Sequence, residues 1–396
     1  MHRSKTLRWL LALWLLVASA LLHAQPAPPA PRIGVLTMGP GDVFWERFGH
    51  DAIVVSDPAQ GAPISYNFGY FDMEEAGFIG RFIRGDMRYM LVALPLDQDL
   101  AYYREVGRGA RLQWLNLDAA QARTLAAALA DNAKPEHARY RYDYYTSNCA
   151  TRVRDALNQA LGGRLKKQLE SRSSGDTWRS ESLRLAAPAA WMWLSFDVVL
   201  GPAADRPLPR WGVDFVPRRL ADDLRNVTRA DGQPLVATEI ELLPQRQAAE
   251  PTEHAIALWP WLLTGVVLAA LLAGYGPRYP RLLAVTAGSV WLACGTVGAV
   301  LTYAWACTEH QAIWANRNLL LFNPLCLLLL PTAWACLRGR APTSRAHTLL
   351  IVIAVLAGLA CLPLWLQVQP QRNGHWIALL FPIHLAFANY WATRKA

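Results

Sequence analysis

Apolar and polar positions follow two different periods along this chain. Between residues 33 and 115 the apolar residues fall in short runs of strand length, 33–38, 52–55, 64–70, 88–94 and 111–115. Pro40-Gly41-Asp42 and the segment 58–63 separate the first runs as turns, and Asp42 is placed to cap a short helix through Phe48. Residues 78–83 read as a short amphipathic helix, and Asp118 with Gln121 as a capping box that starts a helix through Leu129. After residue 149 the period changes: Val153, Ala156, Leu157, Ala160 and Leu161 recur at helical spacing until Gly162-Gly163 stops them. Residues 190–200 suit a core helix or an interfacial one, 201–216 an extended loop, and 235–243 a last strand. The pattern predicts an α+β domain over 32–243, an antiparallel sheet with helices packed on it, and then a polar linker, 244–256.

The remaining third is apolar over lengths that match a bilayer. Five spans are expected, at about 257–275, 282–304, 318–337, 346–366 and 375–392. Residues 1–24 have a basic start (Arg3, Lys5, Arg8), an apolar run and Ala24 before Gln25-Pro26, which reads as a signal peptide; an uncleaved anchor is the competing reading. With the first domain exported, the cytoplasmic loops would hold Arg278, Arg281, Arg338, Arg340, Arg345, Arg394 and Lys395, against Arg317 and Arg372 outside. That asymmetry satisfies the positive-inside rule and places the first domain across the membrane from the cytoplasm.

Composition changes the picture little. With 396 residues, 53% hydrophobic and a net charge of +9, the chain exceeds one soluble domain, and its spread basic residues suit an anionic membrane surface better than nucleic acid. No His/Cys/Asp/Glu cluster has metal-ligand spacing, and no cofactor is implied.

The candidate chemistry centres on Cys149. Of the six cysteines, the other five (Cys294, Cys307, Cys326, Cys336, Cys361) lie in or beside the apolar C-terminal segments, so Cys149 has no partner in its own domain. It stands at the start of the helix predicted after residue 149, where the N-terminal field favours thiolate, and Arg152 and Arg154 would add to this if they face it. The competing reading is a buried small hydrophobe. His50, beside the strand 52–55, is the candidate general base, and Asn67 the candidate orienting group; Asn67 could equally hold a turn or bulge, and Ser65 and Asp72 are weaker alternatives. Tyr140, Tyr142, Tyr144 and Tyr145 crowd the approach to the cysteine, as pocket lining or as packing.

Three stretches carry a resemblance: Phe48-Gly49-His50, the run Tyr66-Asn67-Phe68-Gly69-Tyr70-Phe71, and Asn148-Cys149-Ala150-Thr151-Arg152, with a further match at 316–324. In this order they resemble the Lnb-type lipoprotein N-acyltransferases, a family similar in turn to permuted NlpC-type papain-like thiol enzymes. The resemblance implies Cys149 as nucleophile, His50 as base and Asn67 as third member. It implies a phospholipid acyl donor, a lipoprotein or other amine acceptor, and a bacterial inner-membrane location with a periplasmic N-terminal domain. Candidate substrate contacts are Tyr66, Tyr145, Asn148 and Arg152 near the cysteine, and Glu309, His310, Asn316 and Asn318 in or beside the loop between spans two and three. A membrane-anchored cysteine hydrolase using the same pair is the alternative, and a transporter or structural protein the least supported.

Overall fold

The computed structural model describes residues 29–252, 256–362 and 371–392, together with Trp9, Trp14 and Leu366. The expected signal peptide lies outside the described residues apart from those two tryptophans. The N-terminal part is a seven-stranded sheet in the order β6-β4-β3-β2-β1-β5-β7, and its strand pairs are all antiparallel. In chain order, the elements that position the site are β1 (Arg32–Met38), β2 (His50–Ser56), β3 (Ile64–Tyr70), α1 (Phe78–Arg84), β4 (Arg88–Pro95), α2 (Leu96–Val106), β5 (Ala110–Leu115) and α3 (Ala119–Asn132). They continue with β6 (Arg139–Arg141), α4 (Cys149–Ala160), α5 (Trp178–Ala186), α6 (Ala190–Val199) and β7 (Val236–Leu243).

Alternation along the strands sends residues to two buried faces. Ile53 and Val55 of β2 join Val35, Phe68, Val153 and Leu157 in the core between the sheet and α4. Ala52 and Val54 join Leu36, Met38, Leu100 and Leu112 on the face covered by α2. Burial contributes roughly 1.5–3 kcal/mol for each such aliphatic side chain, so Val153 and Leu157, both fully buried, seat α4 firmly. The capping box of Asp118 and Gln121 is present at the start of α3.

The C-terminal part is helical. Three helices among the described residues are long and apolar enough to cross a membrane: α7 (Leu258–Tyr275), α8 (Pro280–Cys307) and α9 (Arg317–Leu337). The last opens in 3-10 turns, Arg317–Leu320 and Pro324–Leu329, before regular helix. The other two expected spans are helical as well, as α10 (Ser344–Leu359) and α11 (Gly374–Ala392). Neither is among the three: α10 has 16 residues, and α11 carries Pro382 inside it together with polar His384 and Asn389. Gly265 lets α7 lie against α11, since a Cβ there would fall 2.5 Å from the Ala378 carbonyl oxygen. His384 Nε2 donates to the Leu321 carbonyl at 2.9 Å, the interhelical bond expected of a polar side chain in this setting.

The two parts are fastened through α6. Asn316 Nδ2 donates to the carbonyls of Val198 (2.9 Å) and Val199 (2.8 Å), and Asn318 Nδ2 donates to Val198 at 2.9 Å. Asp197 accepts from Trp376 Nε1 at 2.7 Å, and Asp205, held by Arg179 Nε at 2.9 Å, accepts the Arg372 N–H at 3.1 Å. An apolar cluster of Tyr145, Leu185, Leu200 and Phe215 packs with Ile313 across the same junction.

Candidate active site around Cys149

Cys149 is the first residue of α4, and the residues before it fix that start. Asn148 Oδ1 accepts the Thr151 N–H at 2.9 Å while Thr151 Oγ1 accepts the Asn148 N–H at 2.7 Å, a reciprocal capping box. The other end of the Asn148 amide donates to the carbonyls of Tyr144 (2.9 Å) and Phe215 (2.8 Å). Its polar capacity thus goes to holding the turn that presents the cysteine.

The thiol is buried, with 8% of the residue exposed. The main chain at Asp51, Ala150 and Cys149 lies near the sulfur and favours its charged form. Burial nevertheless pushes the Cys149 thiol up to about 12, and the nearby Asp51 carboxyl acts in the same direction. The expectation of a resting thiolate is corrected on this point: desolvation outweighs the helix N-terminus. The two arginines also lie elsewhere. The Arg152 guanidinium stacks 4.2 Å from the Tyr140 ring centre, and Arg154 lies 3.8 Å from that of Trp211 and binds Asp155 at 2.8 Å.

His50 opens β2, and its Nε2 is 3.0 Å from Asn67 Oδ1. The orientation of the amide follows from its other end, where Asn67 Nδ2 donates to Asp99 Oδ2 at 3.0 Å and to Ser65 Oγ at 3.1 Å. A carboxylate accepts only, so the amide nitrogen must face Asp99 and the oxygen must face the ring. Nε2 therefore carries the proton and Nδ1 keeps its lone pair. Burial lowers the His50 pKa, opposed by the Asp99 carboxylate and the Asn67 bond and assisted by Arg108, so the ring is a neutral imidazole at pH 7.

Asp51, the residue after His50 in β2, is the link between the two sets of groups. The β2–β3 pairing runs from Ala52–Asn67 to Val55–Ile64, and just past its end the Asp51 main chain adjoins the Cys149 sulfur. The sulfur therefore lies against the strand residue that follows His50. The β3–β4 register shifts between Phe68 and Tyr70, and Gly69 there has φ +97°. A Cβ on Gly69 would sit at ordinary contact distances, 3.9 Å from the Cys149 Cβ and 3.4 Å from Tyr142 Cε2, so the φ rather than the space calls for glycine here. Asp51 is fully buried; its Oδ1 accepts from Thr37 Oγ1 at 2.7 Å, its Oδ2 has no partner, and burial raises its pKa well above the usual carboxylate range.

The remaining candidates are placed as follows. Tyr66 is packed in the sheet core facing α4. Tyr145 bonds Ser182 Oγ at 3.0 Å and stacks on Trp178. Glu309 pairs with Arg141, and His310 bonds the Phe82 carbonyl at 3.0 Å with its ring 6.3 Å from that of Tyr144, so this loop does reach the segment leading to Cys149. Asn316 and Asn318 instead hold α6, as described above. Ser65 supports Asn67, whereas Asp72 Oδ1 accepts the Glu74 N–H in an exposed turn. Asp99 and Asp51 were not singled out from the sequence; an acidic residue in an otherwise apolar strand or at the first turn of a helix was the signal for each. A polar cavity of about 350 Å³ lined by Asp176, Arg210, Arg219 and Asp223 shares no residue with this site.

Comparison with known proteins gives two successive matches. A profile described as the Lnb N-terminal periplasmic domain matches residues 23–183, and one described as the Lnb transmembrane domain matches residues 257–396. No curated protein and no solved structure matches the chain. The first match contains His50, Asn67 and Cys149; the second contains the helices and the loop that hold α6. With a periplasmic N-terminal domain followed by a transmembrane domain, the chain belongs to the Lnb family.

Proposed function

We propose that this protein is a membrane-bound thiol acyltransferase of the bacterial inner membrane, crossing it five times. It moves a fatty acyl chain from a phospholipid, through a thioester on Cys149, to an amine, the N-terminus of a lipoprotein. The observation that supports this reading is that the Asp51 main chain, which adjoins the Cys149 sulfur, directly follows His50, whose Nε2 is held by Asn67.

In this reading His50 Nδ1 takes the thiol proton as Sγ attacks the ester carbonyl. The imidazolium returns the proton to the departing lysophospholipid oxygen, and the acyl group stays on sulfur. An amine then attacks the thioester and gives up a proton to His50, and the thiolate leaves and is reprotonated. Main-chain N–H groups at the start of α4 are donors for the oxyanion. A neutral thiol beside a neutral imidazole suits this sequence, because the proton moves only when an ester is in place. Burial of the sulfur disfavours water as acceptor and so favours transfer over hydrolysis. A relation to permuted NlpC-type thiol enzymes belongs to the same proposal.

Intact-mass measurement of the purified protein after incubation with phospholipid tests it. Wild type should gain one fatty acyl mass, sensitive to hydroxylamine, and Cys149→Ala should gain none. Release of free fatty acid in the presence of an amine acceptor, with no acylated amine formed, would identify a hydrolase instead.

A further inference from the structure

The face around α1 is apolar and uncovered. None of the seven residues of α1 is buried, and its sequence Phe-Ile-Gly-Arg-Phe-Ile-Arg leaves Ile79 67% exposed. Next to it Phe44 is exposed, and α6 contributes Trp191, 63% exposed. The rings join into one surface: Trp191 to Phe44 is 6.4 Å between centres, Phe44 to Trp45 is 4.9 Å, Trp45 to Phe71 is 6.3 Å, and Phe71 to Phe78 is 5.7 Å. A contiguous patch of this kind marks an interaction surface rather than scattered exposure.

Its position says what covers it. The main chain of α1 is bonded to the segment that leaves α8: Arg84 O accepts the Glu309 N–H at 2.8 Å and Phe82 O accepts from His310, two and three residues past Cys307. The far end of the patch, α6, ends on carbonyls held by Asn316 at the start of α9. Both edges are thus pinned to the ends of spanning helices, where the hydrocarbon gives way to headgroups. Amphipathic helices with basic residues lie in that layer, their apolar side roughly 5–10 Å deep. Arg84 on α1 supplies the cationic side chain of such a helix, whereas Arg81 is tied to Glu75 and the Ala76 carbonyl.

We infer that α1, Phe44 and Trp191 lie in the outer interfacial layer of the bilayer in which the chain's own helices stand, and that an acyl chain reaches Cys149 from this face past Phe71, Tyr89 and Tyr142. Phe71 and Tyr89 are 4.9 Å apart between ring centres and Tyr89 and Tyr142 are 4.4 Å apart; Tyr142 then stands over Gly69 beside the Cys149 Cβ. The lipid contact stands independently, whereas the route rests on the acyl-transfer reading.

The test uses full-length Cys149→Ala protein in phospholipid nanodiscs, so that no covalent acylation interferes. The photocrosslinking residue p-benzoylphenylalanine is placed at Ile79, at Trp191, or at Gln233, an exposed position in the turn before β7. After irradiation, the Ile79 and Trp191 variants should gain the mass of one phospholipid at a yield at least about tenfold above the Gln233 variant, as expected for side chains seated among lipids. Capture no higher than at Gln233 for both positions would overturn the lipid contact while leaving the thiol chemistry untouched. Lipid capture at both, in an enzyme whose wild type forms no acyl-cysteine, would retain the contact and remove the route.

Discussion

Nε2 of His375 lies 2.5 Å from Oδ2 of Asp197, and this contact joins the transmembrane domain to the periplasmic one. Both side chains are buried, and Asp197 also faces Arg179 at 3.6 Å and accepts from Trp376. Removing a buried charged partner leaves the others unpaired, at a cost of roughly 3–5 kcal/mol. Asp197→Ala should therefore loosen the junction, lowering the thermal unfolding temperature and speeding proteolytic cleavage in the linker 244–256. An unchanged cleavage rate would mean that the other contacts, those of Asn316, Asn318, Asp205 and the apolar cluster, hold the junction without it.

Activity should depend on His50 and Cys149 as one unit. Each replaced by Ala should abolish acyl transfer, and the double variant should be scarcely slower than either single one. Asn67→Ala should cost less, about 10–100-fold in kcat, because the base remains but loses its orientation.

Asp99→Ala should act through Asn67, whose amide could then turn over and offer its nitrogen to the ring. Loss of the Asp99 charge also removes a group that raises the His50 pKa. The acid limb of the kcat/KM profile should move to lower pH and the rate should fall about tenfold, in line with loss of a supporting hydrogen bond. Asp99→Asn should retain part of the rate, since one of its ends can still accept from Asn67.

Resting Cys149 should be a poor nucleophile. With the thiol pushed up to about 12, its alkylation by iodoacetamide at pH 7.5 should be more than about tenfold slower than that of an exposed thiol, and should keep rising with pH beyond 9. Alkylation as fast as that of a free thiol would place a thiolate in the resting state.

Asp51 gives a prediction for stability. Its folded pKa is raised, so the folded state holds a proton that the unfolded chain releases above about pH 4, and stability declines as pH rises from there toward the folded pKa. Asp51→Asn keeps an acceptor for Thr37 and removes this decline. The variant should unfold at a higher temperature than wild type at pH 8, with the difference shrinking as pH falls toward 4. A difference independent of pH would mean that Asp51 is ionised in the folded protein.

The strands and the Cys149 helix were legible because local patterns specify them: short apolar runs bounded by turns for β2 and β3, helical spacing after Cys149, and the glycine pair that stops it. The three-residue β6 was not, since its pairing of Tyr89 with Tyr140 depends on a partner 51 positions away. The contact of His50 with Asn67 and the place of Cys149 at a helix start were readable from their motifs. The roles of Asn316 and Asn318 were not, because their acceptors are Val198 and Val199, more than a hundred positions distant. The thiol's raised pKa was hidden for another reason: a helix N-terminus can be seen in sequence, but the burial that outweighs it is a property of the packed fold. In the membrane part, hydropathy located all five helical segments; the end of the fourth falls partly outside the described residues.

The double hold of Asn316 and Asn318 on the Val198 carbonyl has a kinetic meaning. Tyr145, four positions before Cys149, packs with Leu200 and Ile313 in one cluster bridging both parts, so the segment carrying the sulfur is fixed in height above the membrane. Access to an enclosed thiol cannot then come from the two domains swinging apart. It must come from single rings such as Tyr142 turning aside, a movement on the timescale of side chains rather than of domains. In the proposed transfer, ester and amine would accordingly both have to meet the sulfur at one set level, much as two workpieces are brought to one fixed tool.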